Sequence, residues 1–190
     1  MPPARSWDLP VTPKGRQTKD GLLDAGEAVA ARDGLAGLSV ASVTSEAKVA
    51  KGTFYVHFAD RAAFIEALER RFYARVADRV LDAVKPLPPG RDFLAAALDA
   101  YLDACLAKGA IKALLLEARA HGERGAVYTE LLTQFEALVS SSLQALALTP
   151  VDIHARLLIA LASETALIEL ERGSRVDEAR DALRAILPGT

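Results

Sequence analysis

Two short helical patterns joined by a tight connection constrain this chain more than any other feature. They occupy residues 39–61, SVASVTSEAKVAKGTFYVHFADR, and the connection lies at Lys48. Apolar residues recur there at three- and four-residue spacing, Val40, Val43 and Ala47 in the first pattern and Phe54 and Phe58 in the second. Helices this short are not stable alone in water, so they need a dedicated packing partner. The segment therefore predicts a helix-turn-helix unit packed on its own domain.

The second of these helices has one side suited to a DNA groove. With Phe54 and Phe58 buried, Gly52 and Val56 point outward. Glycine allows the helix to approach base pairs closely, Val56 can touch a thymine methyl group, and Lys51 can reach guanine O6 or N7. Flanking polar residues suit phosphates, which set the register: Thr53, Tyr55, His57 and Arg61. A solvated polar face is the ordinary interpretation, but the short length and the paired aromatic residues favour a DNA-contacting helix.

The block of residues 22–64 resembles the DNA-binding domain of the TetR family of bacterial transcriptional repressors. Its run VAKGTFYVHFADRAAF is similar to the family's recognition helix and the start of the next helix. The Val40/Val43 pair, the run from Gly52 to Tyr55 and the His57/Phe58 pair fall in register. The resemblance implies that Lys51, Gly52 and Val56 face bases. It implies that phosphates are contacted by Ser39, Thr53, Tyr55, His57 and Arg61.

Two positions depart from the family pattern. Lys48 stands where the turn usually has glycine, and a left-handed backbone at a non-glycine residue costs about 1 kcal/mol. Ala50 stands at the N-cap of the recognition helix, where serine is usual, and the missing cap costs about 1 kcal/mol more. A lysine at the turn can also gain a phosphate contact, so Lys48 joins the predicted DNA-binding residues as a hypothesis.

The rest of the chain is helical in pattern. No stretch alternates like a strand and there is no internal repeat, so the sequence predicts an all-α fold of about nine helices. Residues 1–17 are expected to form a flexible basic arm, because four basic residues stand against Asp8 in the first nineteen. Thr18 is the predicted cap of the first helix. Residues 18–63 would form the helix-turn-helix domain and 64–190 a helical domain for ligand binding and dimerisation.

The pattern from residue 151 to 172 is apolar almost all round. Thr149 and Pro150 match an N-cap followed by proline at the first helical position. Such a helix is buried in its own core or covered by a second chain, and in a domain of this size the second is favoured, which predicts a homodimer. Glu164 lies in this helix, and a buried carboxylate needs a partner, either Arg156 or a residue of the other subunit. The predicted interface residues are Leu157, Leu161, Glu164, Ile168, Leu183 and Ile186.

The family resemblance also implies a ligand pocket among the fifth to seventh helices. Four candidates lie on apolar faces, where plain core is the ordinary interpretation: Tyr101, Cys105, Tyr128 and Phe135. Three more polar candidates, Glu117, Arg119 and His121, lie beside an irregular loop, where a solvated cluster is the simpler interpretation. Polar groups beside an apolar cavity often orient a ligand, so all seven are kept as candidates.

Several classes of protein are disfavoured by composition. The single cysteine, Cys105, excludes an internal disulfide and a multi-cysteine metal site. The three histidines of the chain lie far apart in the sequence, and the sequence has no nucleophile motif or glycine-rich phosphate loop. Neither an enzyme nor a cofactor is therefore expected. No apolar run reaches the roughly 18 to 20 residues of a membrane helix, and the N-terminus does not resemble a secretory signal. A cytoplasmic protein is expected.

These observations predict a regulator that binds a double-stranded DNA operator. The expected mechanism is a repressor dimer on a pseudo-palindromic site, released by a small, mostly apolar effector. The alternative is a helical ligand-binding dimer with a decayed DNA-binding head, an idea that Lys48 and Ala50 motivate.

Overall fold

The computed structural model describes residues 12–120 and 126–188, and within them the side chains of all but 118–120, 126–128 and 131. These residues form nine α-helices, and the predicted all-α fold is confirmed. The helices are α1 (Pro13–Gly37), α2 (Val40–Glu46), α3 (Lys51–His57), α4 (Arg61–Val84), α5 (Arg91–Ala107), α6 (Gly109–Ala120), α7 (Ala126–Ala145), α8 (Val151–Arg172) and α9 (Asp177–Ala185).

The first helix begins six residues earlier than predicted. Its N-cap is Thr12, whose hydroxyl oxygen accepts a hydrogen bond from the Gly15 amide at 3.1 Å, and Pro13 takes the first helical position. Thr18 lies inside the helix, where its hydroxyl donates to the Lys14 carbonyl at 2.9 Å. Residues 13–17 of the expected arm are therefore helical, and residues 1–11 lie outside the described residues.

Two further side chains cap helices of the N-terminal unit. Ser39 caps α2 in a capping box, accepting from the Ser42 amide at 3.0 Å while its own amide donates to the Ser42 hydroxyl at 2.9 Å. Asp60 caps α4 by accepting from the Ala63 amide at 2.8 Å. Because both caps satisfy backbone groups at helix starts, they fix where α2 and α4 begin.

Three phenyl rings form the centre of the head, which consists of α1, α2, α3 and the start of α4. Phe54 of α3 lies 5.3 Å from Phe58 and 5.2 Å from Phe64 between ring centroids, and all three are buried. Gly26 of α1 lies against Phe64, since a Cβ at that position would come within 2.5 Å of the ring. The aromatic cluster therefore holds α3 from behind and packs it on α4.

The body of the protein is built around α4. A stripe of apolar side chains along this helix is buried: Phe64, Leu68, Phe72 and Val76. This helix packs mainly along α5, α7 packs along α8, and α5 joins the two pairs through α8. The sixth helix lies against α1. Through α4 and α6, the body therefore contacts the head at two places.

The eighth helix is buried on one side only. Pro150 is its N-cap, so the predicted cap Thr149 lies one residue outside. The buried side carries mostly small residues: Ala155, Leu158, Ala162, Thr165, Ala166 and Glu169. Gly173 ends the helix with a left-handed backbone, φ 67°. No helix within residues 12–120 and 126–188 is long and apolar enough to cross a membrane.

A buried ion pair holds the last helix in place. Arg180 of α9 is fully buried, and its guanidinium donates to both Glu169 carboxylate oxygens at 2.7 and 2.8 Å and to Asp103 of α5 at 2.6 Å. We call Arg180, Glu169 and Asp103 the ionic clamp. Glu164 is exposed in the protomer, so its predicted burial against a residue of the other subunit stays a prediction. The buried carboxylate is Glu169.

Candidate DNA-binding head and effector cavity

The turn between α2 and α3 is closed by its own backbone. The Lys48 amide donates to the Ser45 carbonyl at 3.2 Å, and the Val49 amide donates to the Thr44 carbonyl at 3.0 Å. This geometry places Lys48 at φ 55°, in the left-handed region that favours glycine. The turn therefore requires the left-handed backbone that the resemblance to the family pattern implied. Because Lys48 has a Cβ, this conformation costs about 1 kcal/mol.

The start of α3 has no side-chain cap. Ala50 occupies the N-cap, where its carbonyl accepts from the Thr53 amide at 2.9 Å. Ala50 has no oxygen that could accept from a free amide of the first turn, as serine would. The helix is instead held by Phe54 beneath it, so it depends on packing more than on capping.

One side of α3 is open. Val56 is 75 % exposed and Tyr55 50 % exposed, although both are large and apolar in part. A Cβ at Gly52 would meet nothing within 4 Å. Lys51 and the turn residue Lys48 are also exposed. We call these five residues the reading face. The sequence predicted all five as DNA-contacting residues, and the structure brings them together on a surface that residues 12–120 and 126–188 leave uncovered.

Thr53 and His57 lie at the margin of the reading face and are half-buried. Burial lowers the pKa of His57 below its usual 6.5, and the charge of Lys19 lowers it further. The Lys19 ammonium lies 5.7 Å from the centroid of the Phe58 ring. His57 is therefore mainly neutral at pH 7, and would meet a phosphate with a neutral N–H group rather than with a positive charge.

Arg61 has a role that the sequence did not reveal. Its Nε donates to the Leu38 carbonyl at 2.5 Å and its Nη2 donates to the Leu35 carbonyl at 2.8 Å. The guanidinium thus satisfies carbonyl groups at the end of α1 and ties that end to α4. Ser39 likewise uses its hydroxyl as a cap. Phosphate contact by these two residues stays a prediction, while their structural roles are established.

A cavity of about 420 Å³ lies between α4, α5, α7 and α8. Its walls are almost entirely apolar, among them Val76, Val80, Leu98, Leu138 and Ile159. The volume falls in the range of about 300–1,000 Å³ that is typical of small-molecule sites. Two of the seven predicted ligand residues, Tyr101 and Phe135, line it.

Of the other five predicted ligand residues, the structure describes the side chains of two, Cys105 and Glu117, and neither lines this cavity. Cys105 is buried behind it, and burial raises the pKa of its thiol, which therefore stays protonated. Glu117 is exposed and does not line the cavity, so its prediction was wrong for this site. The side chains of Arg119 and Tyr128, and all of His121, lie outside the described residues.

Three polar residues in or beside the cavity were missed, and one of them is Gln134 of α7. Lys112 of α6 is buried, and its ammonium donates to the Tyr101 hydroxyl at 3.0 Å while lying 5.8 Å from the Tyr73 ring centroid. Ser163 of α8 lines the cavity with its hydroxyl oxygen 3.5 Å from that of Tyr101. A sequence signal did exist for Lys112, since it shares an apolar helix face with Leu115 and Leu116. We call Tyr101, Ser163 and Lys112 the polar end.

A second exposed apolar surface lies on α8. Ile153, Leu157 and Leu161 are spaced four residues apart and are 46, 56 and 37 % exposed. We call these three residues the α8 stripe. Of the other predicted interface residues, Ile186 and Glu164 are exposed and Ile168 is half-buried. Leu183 was predicted wrongly, because it is buried in the core of its own protomer.

An ion-pair network joins the head to the body. The Glu27 carboxylate of α1 accepts from Arg71, from Arg75 at 2.7 Å and from Lys108 at 3.1 Å. We call these four residues the ionic joint. Burial pushes the pKa of Glu27 upward, but the hydrogen bond from Lys108 and the charge of Arg71 outweigh it and lower the pKa below 4.5. Arg71 and Arg75 lie on α4 and Lys108 just before α6, so the joint ties both body contacts to α1.

The head has a family-level match. Residues 22–68 match the sequence model of the bacterial regulatory proteins of the tetR family. This range contains the turn, all of α3 and the first residues of α4. Among curated proteins, none matches the chain's sequence. Within the described residues, no group of three or more His, Cys, Asp or Glu side chains could hold a metal ion.

Solved structures match over nearly the whole chain. The multidrug binding protein EbrR complexed with imidazole is 24 % identical, with a TM-score of 0.74 and 98 % of each chain covered. The fatty acid degradation regulator FadR from Bacillus halodurans is 16 % identical, with a TM-score of 0.73, covering 94 % of this chain and 96 % of that one.

A TetR-like transcriptional regulator from Rhodococcus sp. RHA1 is 20 % identical, with a TM-score of 0.71, covering 88 % of this chain and 92 % of that one. At these identities the solved structures establish the fold, and the head supplies the link to a family. Residues 22–68, which include the open recognition helix, therefore form a DNA-binding domain of the tetR family of bacterial regulatory proteins, and the described residues share the fold of solved TetR-like regulators.

Proposed function

We propose that the protein is a homodimeric repressor that binds a pseudo-palindromic operator through α3 of each protomer and is released by a small, mostly apolar effector. The observation that carries this proposal is the reading face. Its exposed Tyr55 and Val56 are backed by the buried ring of Phe54. A helix held this firmly from behind, whose front is left open by the described part of the chain, is suited to contact an external surface.

The chemistry of the reading face fits a major groove. Gly52 permits close approach, Val56 offers a methyl group for thymine, and Lys51 offers an ammonium for guanine O6 or N7. Tyr55, Thr53 and His57 would contact phosphates, with Lys48 as a further candidate. Three exposed cations on the first turns of α1, Lys14, Arg16 and Lys19, would add salt-dependent affinity.

Dimerisation through α8 would supply the second recognition helix. Exposed apolar residues gathered in a row favour a protein interface, whereas single ones are common on any surface. The α8 stripe and the exposed Ile186 form such a gathering. A two-fold dimer that binds two half-sites must place its recognition helices about 34 Å apart, one turn of DNA.

The cavity supports the effector part of the proposal. Its lining is almost wholly apolar and it lies against α4, which also carries Phe64 of the head. EbrR is described as a multidrug binding protein and FadR as a fatty acid degradation regulator, and both descriptions suit ligands with large apolar parts. An effector that binds one head arrangement better than another would shift the population toward it and lower operator affinity.

A DNA footprint tests the operator-binding proposal. Genomic DNA recovered by pull-down with the full-length protein should contain a palindromic protected site. Tyr55→Ala should weaken binding to that site at least about tenfold, equal to about 1.4 kcal/mol. Lys51→Ala should weaken binding and relax the specificity at the base pair that its ammonium contacts, and loss of the cation should also lower the slope of log K against log salt.

Arg172→Ala is the matched control, since it removes an exposed charge of the body and should change neither binding nor slope. Retained ligand binding without preference for any DNA would instead favour the alternative, a ligand-binding dimer with a decayed head.

A charge in the α8 stripe tests the dimer. Leu157→Glu should convert the protein to a monomer and abolish the palindromic footprint, because desolvating a carboxylate in an apolar interface is unfavourable. Analytical ultracentrifugation gives the oligomeric state. Leu81→Glu is the matched control, since Leu81 of α4 is 50 % exposed and lies outside the stripe. A dimer that persists in Leu157→Glu but dissociates in Leu81→Glu would place the interface elsewhere.

A further inference from the structure

The effector cavity has a chemically distinct end. Most of its wall is hydrocarbon, whereas the polar end brings the Tyr101 and Ser163 hydroxyl groups to the lining. The Lys112 ammonium lies behind Tyr101, 5.5 Å from the centroid of its ring. Polar groups placed in an otherwise apolar pocket fix the orientation and the identity of a ligand.

Hydrogen-bond roles at the polar end are set by Lys112. An ammonium group can only donate, so the Tyr101 oxygen accepts the 3.0 Å hydrogen bond from Lys112. The Tyr101 hydroxyl proton is then directed away from Lys112. Burial raises the pKa of Tyr101 well above its usual 10, which keeps this proton in place at physiological pH.

The contact between the two hydroxyl groups is longer than an ordinary hydrogen bond. Their oxygens lie 3.5 Å apart, whereas hydrogen bonds between hydroxyl oxygens usually measure about 2.5–3.0 Å. Both hydroxyl groups line the cavity, so an acceptor atom placed between them would receive hydrogen bonds from Tyr101 and Ser163 together. The polar end is therefore arranged to donate.

We propose that the polar end selects effectors carrying a carbonyl or carboxylate oxygen at one end of an aliphatic chain. The oxygen accepts from Tyr101 and Ser163, and the chain contacts the apolar wall formed by residues such as Val80 and Leu138. This inference rests on the proposed function only in taking the cavity as the effector site.

Ligands without an acceptor oxygen should bind more weakly, because they leave hydrogen bonds of the polar end unmade. A hydrocarbon displaces water from two hydroxyl groups without replacing their hydrogen bonds, and a site built for a polar group rejects an analogue that lacks it. An alkylammonium offers only donors and brings a second positive charge toward Lys112. Both should bind more weakly than a ketone or a carboxylate of the same length.

Four eight-carbon probes test this preference on the full-length protein: octan-2-one, octanoate, octylammonium and octane. Calorimetry gives the affinity of the three soluble probes, and headspace partition gives that of octane. Octan-2-one, octanoate or both should bind at least about tenfold more tightly than octane and octylammonium. Whichever of these two probes binds more tightly shows whether the polar end prefers a neutral carbonyl or a carboxylate.

Variants separate the polar end from the rest of the cavity. Tyr101→Phe keeps the ring and should reduce the preference to within about threefold, and Ser163→Ala should reduce it partly. Leu138→Ala is the control, since it removes apolar wall and should weaken all probes alike. Thermal unfolding checks that each variant is folded. If Tyr101→Phe is unstable, Ser163→Ala still carries the test.

The inference is overturned if octane or octylammonium equals the best oxygen-bearing probe, if no probe binds, or if both variants keep the wild-type preference. A DNA footprint measured on the same preparations tells this failure apart from failure of the proposed function. An acceptor preference without any operator binding would refute the repressor and leave the inference standing. A normal footprint without acceptor preference would do the reverse.

Discussion

The ionic clamp and the ionic joint use similar residues in opposite surroundings. In the clamp, the side chains of Arg180 and Glu169 are 0 and 1 % exposed. In the joint, Glu27 is also largely covered, but two of its cations, Arg75 and Lys108, are 45 and 49 % exposed. The clamp holds α9 inside the body, whereas the joint holds the head to the body.

The difference in exposure determines how firmly α9 and the head are each held to the body. A buried ion pair cannot lose one partner without leaving an uncompensated charge away from water. An exposed cation that leaves its carboxylate is solvated at once, and salt weakens its attraction. The body's last helix is therefore locked in place, while the connection between head and body can be altered at low cost.

Removal of the clamp's arginine should have the largest effect. Arg180→Met should lower the free energy of unfolding by about 3–5 kcal/mol, because Glu169 would remain buried without its main partner. Urea unfolding followed by circular dichroism measures this. The double variant Arg180→Met/Glu169→Leu should recover much of the loss. A smaller loss of unfolding free energy in Arg180→Met than in Glu27→Gln would show that the clamp does not hold its helix more firmly than the joint holds the head.

Disrupting the joint should have a smaller effect that depends on the medium. Glu27→Gln should lower the free energy of unfolding by about 1–2 kcal/mol, between the values for exposed and buried pairs. The effect should shrink in 1 M salt, where the Debye length is about 3 Å. An equal loss at low and high salt would show that the joint is screened from solvent like the clamp.

The joint should also respond to acid. The pKa of Glu27 is lowered in the folded state from 4.5, so its contribution to stability is complete above about pH 4.5 and is lost as pH falls through the lowered pKa. Wild type should therefore lose its advantage over Glu27→Gln below pH 4.5. Because Glu169 has a lowered pKa too, only the difference between the two proteins is informative.

The smallest effect is expected in the turn of the head. Lys48→Gly should raise the free energy of unfolding by about 0.5–1 kcal/mol, because glycine adopts positive φ without a Cβ clash. Chemical unfolding measures the gain, and Lys51→Gly, in the first turn of α3, is the opposite control that should destabilise. An unchanged salt slope of DNA binding in Lys48→Gly would remove Lys48 from the phosphate contacts.

The head was largely predictable from sequence because its information is local. Phe54 and Phe58 lie four residues apart, and that spacing already separated the buried side of α3 from the open side. Ser39 and Asp60 act on amides three residues away, so their caps were readable too. Arg61 escaped prediction of its structural role because its acceptors, the Leu35 and Leu38 carbonyls, are 26 and 23 residues distant.

The body was less predictable because its information is tertiary. Glu164 and Glu169 lie on the same helix, and only the arrival of Arg180 from α9 decides which one is buried. The sequence shows that Leu183 lies on an apolar helix face, but it does not show whether that face is covered by the core of the same protomer or by a partner subunit. Tyr101 and Phe135 were candidates by residue type, but Ser163 gave no signal, since small polar residues are common in packed helices.

One helix serves both regions. On α4, Phe64 belongs to the aromatic cluster of the head, and Val80 belongs to the cavity wall. At 1.5 Å per residue these two positions are about 24 Å apart, so a tilt of about 10° pivoting at one moves the other by about 4 Å. Under the proposed effector mechanism, that lever arm would make the shape of a ligand filling the cavity, and not its affinity alone, a determinant of the position of the recognition helix.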